Sequence, residues 1–191
     1  MQPRPFIVGF VLAAFFSPLF AQPAPSREVV TIEKVTVQGT RFQPHSIQIL
    51  TGLARGVKVD EVGVRKAISR MMDSGLIKNV NYNYESLGNS NKVALELTII
   101  DETPLLPATI EIPGIDAEDV WNYLDSVDPL FTRELPRTQK ALNFYIHAIT
   151  DFLRTNKRKD AIVAIITGDA EGNATGIVFQ PATPPPPSSS N

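Results

Sequence analysis

Between residues 29 and 102 the spacing of apolar positions switches from strand-like to helical and back. In VVTIEKVTVQ, residues Ile32, Val35 and Val37 form the inward side of a strand, and one break in the alternation predicts a bulge or a change of face. Gly39 permits the turn that follows. A short helix is predicted from Pro44, where the first helical position needs no amide donor; Ile47, Leu50 and Leu53 fall at helical spacing and Gly52 and Gly56 end it. Asp60 is a good cap for a second helix, in which Val64, Ala67, Ile68, Met71 and Met72 make one apolar stripe and Gly75 supplies the left-handed stop. Glu61 and Arg65 can pair on its exposed side.

A hairpin closes this stretch. Val80, Tyr82 and Tyr84 alternate with Asn79, Asn81 and Asn83 over residues 76–86. Val93, Leu95, Leu97 and Ile99 alternate with polar or small residues, and GNSN (88–91) is the turn. One face of the hairpin is expected to be buried and the other wet. The order is strand, helix, helix, strand, strand.

Residues 107–180 repeat this order more loosely. ATIEIPGI reads as a strand and turn. Asp116 caps a helix with Glu118 and Asp119 in its first turn and Val120, Leu124 and Val127 on its inner face. A loop with Pro129 and Pro136 leads to a longer helix from about Thr138 to Thr155, striped by Leu142, Tyr145, Ile146, Ile149 and Leu153. AIVAIITG and GIVFQPA then flank the turn DAEGNA. The fold class expected is α+β: two tandem β-α-α-β-β units at 29–102 and 107–180, each a three-stranded mixed sheet covered on one face by two helices. Residues 103–106, within DETPLLP, form a short, stiff linker.

The ends read differently. Arg4, the apolar run Phe6–Phe20, Pro18 and a cut after Ala21 make residues 1–21 a signal peptide, and the run is shorter than the ~20 residues that span hydrocarbon. An anchor kept in place is the alternative. Residues 22–28 are a linker. Residues 181–191 (PATPPPPSSSN) are a proline- and serine-rich tail, expected to be disordered, whose four consecutive prolines cannot join a ladder.

Composition narrows the function. A formal charge of −2 argues against nucleic acid as the main partner, and the basic run Lys157-Arg158-Lys159 sits at a helix end, where it complements the dipole. The chain has no cysteine, so an exported form has no disulfide staples and must be held by its cores, which suits a bacterial periplasm. His45 and His147 stand alone, so no metal site is expected. There is no phosphate-cradling glycine loop and no assignable nucleophilic triad. No catalytic residue, metal, cofactor or small-molecule substrate is expected, and the chain does not read as an enzyme.

IEKVTVQGTRF, GVKVDE, the helix ending in MDSGLIKNV and the closing VALELTIIDE together resemble a POTRA (polypeptide-transport-associated) domain. Such domains form the periplasmic arms of outer-membrane barrel insertases and of two-partner secretion pores. Residues 107–180 look like a second, divergent copy, with TNKRKD where the family often has a glycine near the end of its second helix. The resemblance implies that the 92–101 strand is central, with the 29–38 and 76–86 strands at the two edges. It also implies a non-catalytic periplasmic scaffold, associated with the outer membrane through its partners. Those partners would be extended outer-membrane or secreted polypeptides and an outer-membrane barrel protein. Residues Asn79, Val80, Asn81, Tyr82, Asn83 and Tyr84 are the candidate edge for an added client strand. A structural adaptor in an envelope or cell-division complex, or a truncated piece of a barrel insertase, are the other readings.

Overall fold

The computed structural model describes residues 28–88 and 91–182. The expected signal peptide, all but the last residue of the 22–28 linker, the middle of the GNSN turn and the tail from residue 183 lie outside the described residues.

The first unit runs β1 (Val30–Gln38), α1 (Pro44–Thr51), β2 (Lys58–Val59), α2 (Glu61–Asp73), β3 (Ile77–Ser86) and β4 (Lys92–Asp101). Its sheet has the order β2-β1-β4-β3, with β1 parallel and β3 antiparallel to β4. The second unit runs β5 (Leu105–Ile110), α3 (Ala117–Val127), β6 (Glu134–Pro136), α4 (Gln139–Thr155), β7 (Ile162–Gly168) and β8 (Ala174–Pro181). Its sheet has the equivalent order β6-β5-β8-β7, with β5 parallel and β7 antiparallel to β8.

Each sheet therefore has four strands, not three. The additional members, β2 and β6, are two and three residues long, too short to show a period of two. They dock because a neighbouring strand offers unpaired backbone. Val59 and Lys58 pair with Val30 and Thr31 at the start of β1, so β1 is not an outer strand along its whole length. Leu105–Pro107 pair with β6 in the same way. Strand β5 thus opens three residues ahead of ATIEIPGI and contains Pro107, which precedes the β5–β8 ladder starting at Ala108 and leaves no donor missing there.

Local sequence explains most element ends. The Asp60 carboxylate accepts from the Gly63 amide at 2.7 Å, Asp116 accepts from Glu118, and Thr138 accepts from Ala141. Helix α1 ends on Gly52, whose φ of 70° lies in the left-handed region. The break in β1 is a register shift between Ile32 and Lys34. Val93, Leu95, Leu97 and Ile99 are buried beneath α1 and α2 with Val64, Ala67 and Met71. Val120 and Leu124 are buried in α3, but Val127 is 41 % exposed, because the helix stops there and Asp128 turns the chain inward. Trp121 takes the buried place and stacks on Phe131, with ring centroids 5.7 Å apart.

The buried residues of the two units form one connected cluster. Within the second, Asp128 is 2 % exposed and fully used. Its Oδ1 accepts from the Leu130 amide at 2.9 Å and its Oδ2 from the Tyr145 hydroxyl at 2.8 Å. Burial, reinforced by the adjacent Asp128 carboxylate, pushes the Tyr145 hydroxyl far up, so it remains a neutral donor. Tyr145→Phe is therefore expected to cost about 1–3 kcal/mol in chemical denaturation, because it strands a buried carboxylate oxygen. A loss near zero would mean that water replaces the hydroxyl.

Candidate functional site

Strand β3 is one of the two outer strands of the first sheet, the edge position that the POTRA resemblance implies for residues 76–86. Its register with β4 places Val80 opposite Ile99, Tyr82 opposite Leu97 and Tyr84 opposite Leu95. These three side chains lie on the helix-covered face, Val80 buried and the two tyrosines half-buried, while Asn79, Asn81 and Asn83 are exposed. All six candidate residues thus sit on one continuous strand, split by the pleat between two faces.

The direction of the backbone groups follows from the ladder. The Leu87 amide donates to the Lys92 carbonyl at 2.9 Å. In an antiparallel pair, residues that exchange bonds alternate with residues that do not. Counting back from Leu87, Asn83 and Asn81 serve β4. The amides and carbonyls of Val80, Tyr82 and Tyr84 point away from the sheet. The asparagines, which look the more available as side chains, are the ones whose backbone is already engaged.

Aromatic and charged groups surround this edge. Tyr82 and Tyr84 meet edge-on, with centroids 5.6 Å apart and planes at 78°. The Arg65 guanidinium reaches the Tyr82 hydroxyl and Glu61, and both partners favour its charged form. Burial is the main cause that pushes the Tyr84 hydroxyl up to about 12, and it makes no hydrogen bond among the described residues. A cavity of about 380 Å³ opens beside Glu61, Tyr82, Tyr84 and Val93 on the helix side of the strand. On the other face a hollow of about 410 Å³ is bounded by Lys34, Asn83, Glu85 and Glu96. The arrangement offers backbone bonding along a line, with apolar and polar footholds on alternate sides.

His45, on α1, and His147, on α4, are both exposed; the His147 ring is tied to the Asn143 carbonyl at 2.6 Å. Among the described residues no group of three or more His, Cys, Asp or Glu could hold a metal, and no helix is long and apolar enough to cross a membrane. A second outer strand, β7, carries Ile165 and Ile166 at 43 % and 44 % exposure. The uncharged run AIVAIIT was its signal in the sequence, but periodicity alone could not place it at an edge.

Both units carry parallel first and last strands, an antiparallel hairpin and two helices on one face, the topology that the POTRA resemblance implies, with β4 between β1 and β3. In fold, both are POTRA-like. Solved structures similar to the chain include the N-terminal domain of Omp85 from Thermosynechococcus elongatus (19 % identity, TM-score 0.40, 81 % of this chain and 63 % of that one). They also include POTRA domains 1–2 of the periplasmic domain of Omp85 from Anabaena (14 %, 0.41, 81 % and 96 %) and BamA POTRA domains 3–5 of Haemophilus influenzae (12 %, 0.39, 80 % and 66 %). The chain thus spans under two thirds of the first of these. No protein-family profile and no curated protein sequence matches it.

Proposed function

We propose that the chain is a non-catalytic periplasmic scaffold that holds extended polypeptides for outer-membrane protein assembly or secretion, by adding a client strand to β3. The observation that supports this most is the row of outward backbone groups at Val80, Tyr82 and Tyr84, on an outer strand flanked by two hollows. Backbone pairing tolerates many client sequences, while alternate side-chain footholds add modest selectivity. Export by residues 1–21 and association with the outer membrane through a barrel partner belong to the same reading.

The test follows from the alternation of amides. Tyr82→Pro removes an outward amide and leaves the β3–β4 ladder intact. It is expected to weaken binding of an extended outer-membrane peptide by about threefold to tenfold beyond Tyr82→Ala, the equivalent of one net hydrogen bond, with the fold retained. Asn81→Pro removes an amide that serves β4 and is expected to lower stability by about 1–3 kcal/mol. Chemical-shift mapping should place the peptide along β3. Shifts confined to α1 and α2, with Tyr82→Pro equal to Tyr82→Ala, would reject strand addition and favour an adaptor working through its helices.

A further inference from the structure

We infer that β7 is a self-association edge, on which a second copy of this chain adds its own β7 antiparallel, about a two-fold axis through Ala164. The Ala182 amide donates to the Ala161 carbonyl at 2.7 Å. By the same alternation, Val163 and Ile165 serve β8, and the backbone groups of Ile162, Ala164 and Ile166 point outward. Strand IVAIITG has no charge and no proline. The equivalent outer strand of the first unit, β3, carries Lys78, Glu85 and three asparagines, the kind of polar dressing that discourages edge pairing. Strand β7 lacks it and instead exposes Ile165 on the open face of the sheet and Ile166 on the helix side.

The occupant is specified by charge and shape. Exposed Lys157 and Lys159 precede β7, and exposed Asp169 and Glu171 follow it. Parallel pairing would set like against like. Antiparallel pairing centred on Ala164 brings the end of β7 preceded by exposed Lys157 and Lys159 towards the end of the second copy's strand followed by exposed Asp169 and Glu171, twice over by symmetry. The same register sets every outward backbone group against a partner. It puts Val163 opposite Ile165 of the second copy on the open face, covering one flank of that exposed side chain. On the helix side Ile162 faces Ile166 of the second copy. There a cavity of about 630 Å³ between α4 and the start of β7, lined by Ile146, Thr150 and Ile162 together with Arg154, Arg158 and Lys159, offers room for it against the apolar part of that wall. Asp169 is held in place for its part by accepting from the Glu171 and Asn173 amides, both at 2.9 Å. The strand used is not β3, so success or failure here is independent of client binding there.

The natural chain has no cysteine, so Ala164→Cys in the full chain supplies a single thiol. The two copies of residue 164 would face each other at a Cα separation of about 5.5 Å, within the range a disulfide spans. Mild oxidation is expected to give a covalent dimer much faster than with Thr109→Cys, an exposed position on β5. Sedimentation of the unmodified full chain should show a concentration-dependent dimer. Ile166→Lys should weaken it by at least about tenfold, by placing a charge in the paired edge. Lys157→Glu and Glu171→Lys should each weaken it by about threefold to tenfold, since each change occurs twice in the dimer, and the double exchange should restore it. A chain that stays monomeric into the high micromolar range, cross-linking at residue 164 no faster than at 109, or an exchange that fails to restore dimerisation would each overturn the inference. So would a client peptide that adds to β7 while the chain itself stays monomeric.

Discussion

Gly75→Ala is expected to destabilise the protein by about 2–4 kcal/mol and to separate the unfolding of the two units. Gly75 follows α2 with a φ of +74°, a conformation that costs a residue with a side chain about 1–2 kcal/mol. Its second constraint comes from the other unit. A Cβ at this position would lie 2.7 Å from the Ala141 amide nitrogen and 3.0 Å from its Cα, in the first turn of α4. Backbone cannot step aside as a flexible side chain can, so α2 and α4 must move apart, with a penalty of the size seen for overpacked cores, about 1–3 kcal/mol. Gly52→Ala is the comparison. Gly52 has a φ of +70° but nothing within 4 Å of its added carbon, so only the conformational part should appear. Urea denaturation of both variants measures the difference. If Gly75→Ala is no worse than Gly52→Ala, the close approach of α2 to α4 does not hold the units together in solution.

Leu97→Ala is expected to cost about 2–5 kcal/mol, the range for a buried leucine that leaves a residual cavity. Leu97 lies at the middle of β4, between Val37 on β1 and Tyr82 on β3, and is 0 % exposed beneath the helices. Its neighbours are fixed by the ladder on both sides, so the site can collapse little. The loss is a large share of the stability of an ordinary domain, and it should also loosen β3, which pairs with β4 along its length. Denaturation with a probe in the first unit checks it. A loss below half a kcal/mol would place Leu97 on the wrong face of the sheet.

Much of this was legible along the chain. The alternation of Val80, Tyr82 and Tyr84 with asparagines fixed which side chains face the helices, and Asp60, Asp116, Gly52 and Gly75 marked helix ends, because caps and pleats depend on residues a few positions apart. The burial of Val93, Leu95, Leu97 and Ile99 was readable for the same reason, while the inner place of their strand in the sheet came from the resemblance. Five things were not. Strands β2 and β6 are too short to carry a period and exist only because β1 and β5 present open backbone to them. The inward place expected of Val127 went to Trp121, because Asp128 turns the chain inward to meet Tyr145. The outward amides of the candidate edge belong to Val80, Tyr82 and Tyr84 and not to the asparagines, since amide direction is a property of the register between two strands and not of either alone. The exposure of Ile165 and Ile166, and the approach of Gly75 to Ala141, arise between segments distant in sequence. Sequence alone determined the longer elements and, Val127 and Trp121 aside, which side of each is apolar. Tertiary structure decided which edges stay open, which backbone groups they present and what stands opposite them, because those depend on distances between elements that no local pattern encodes.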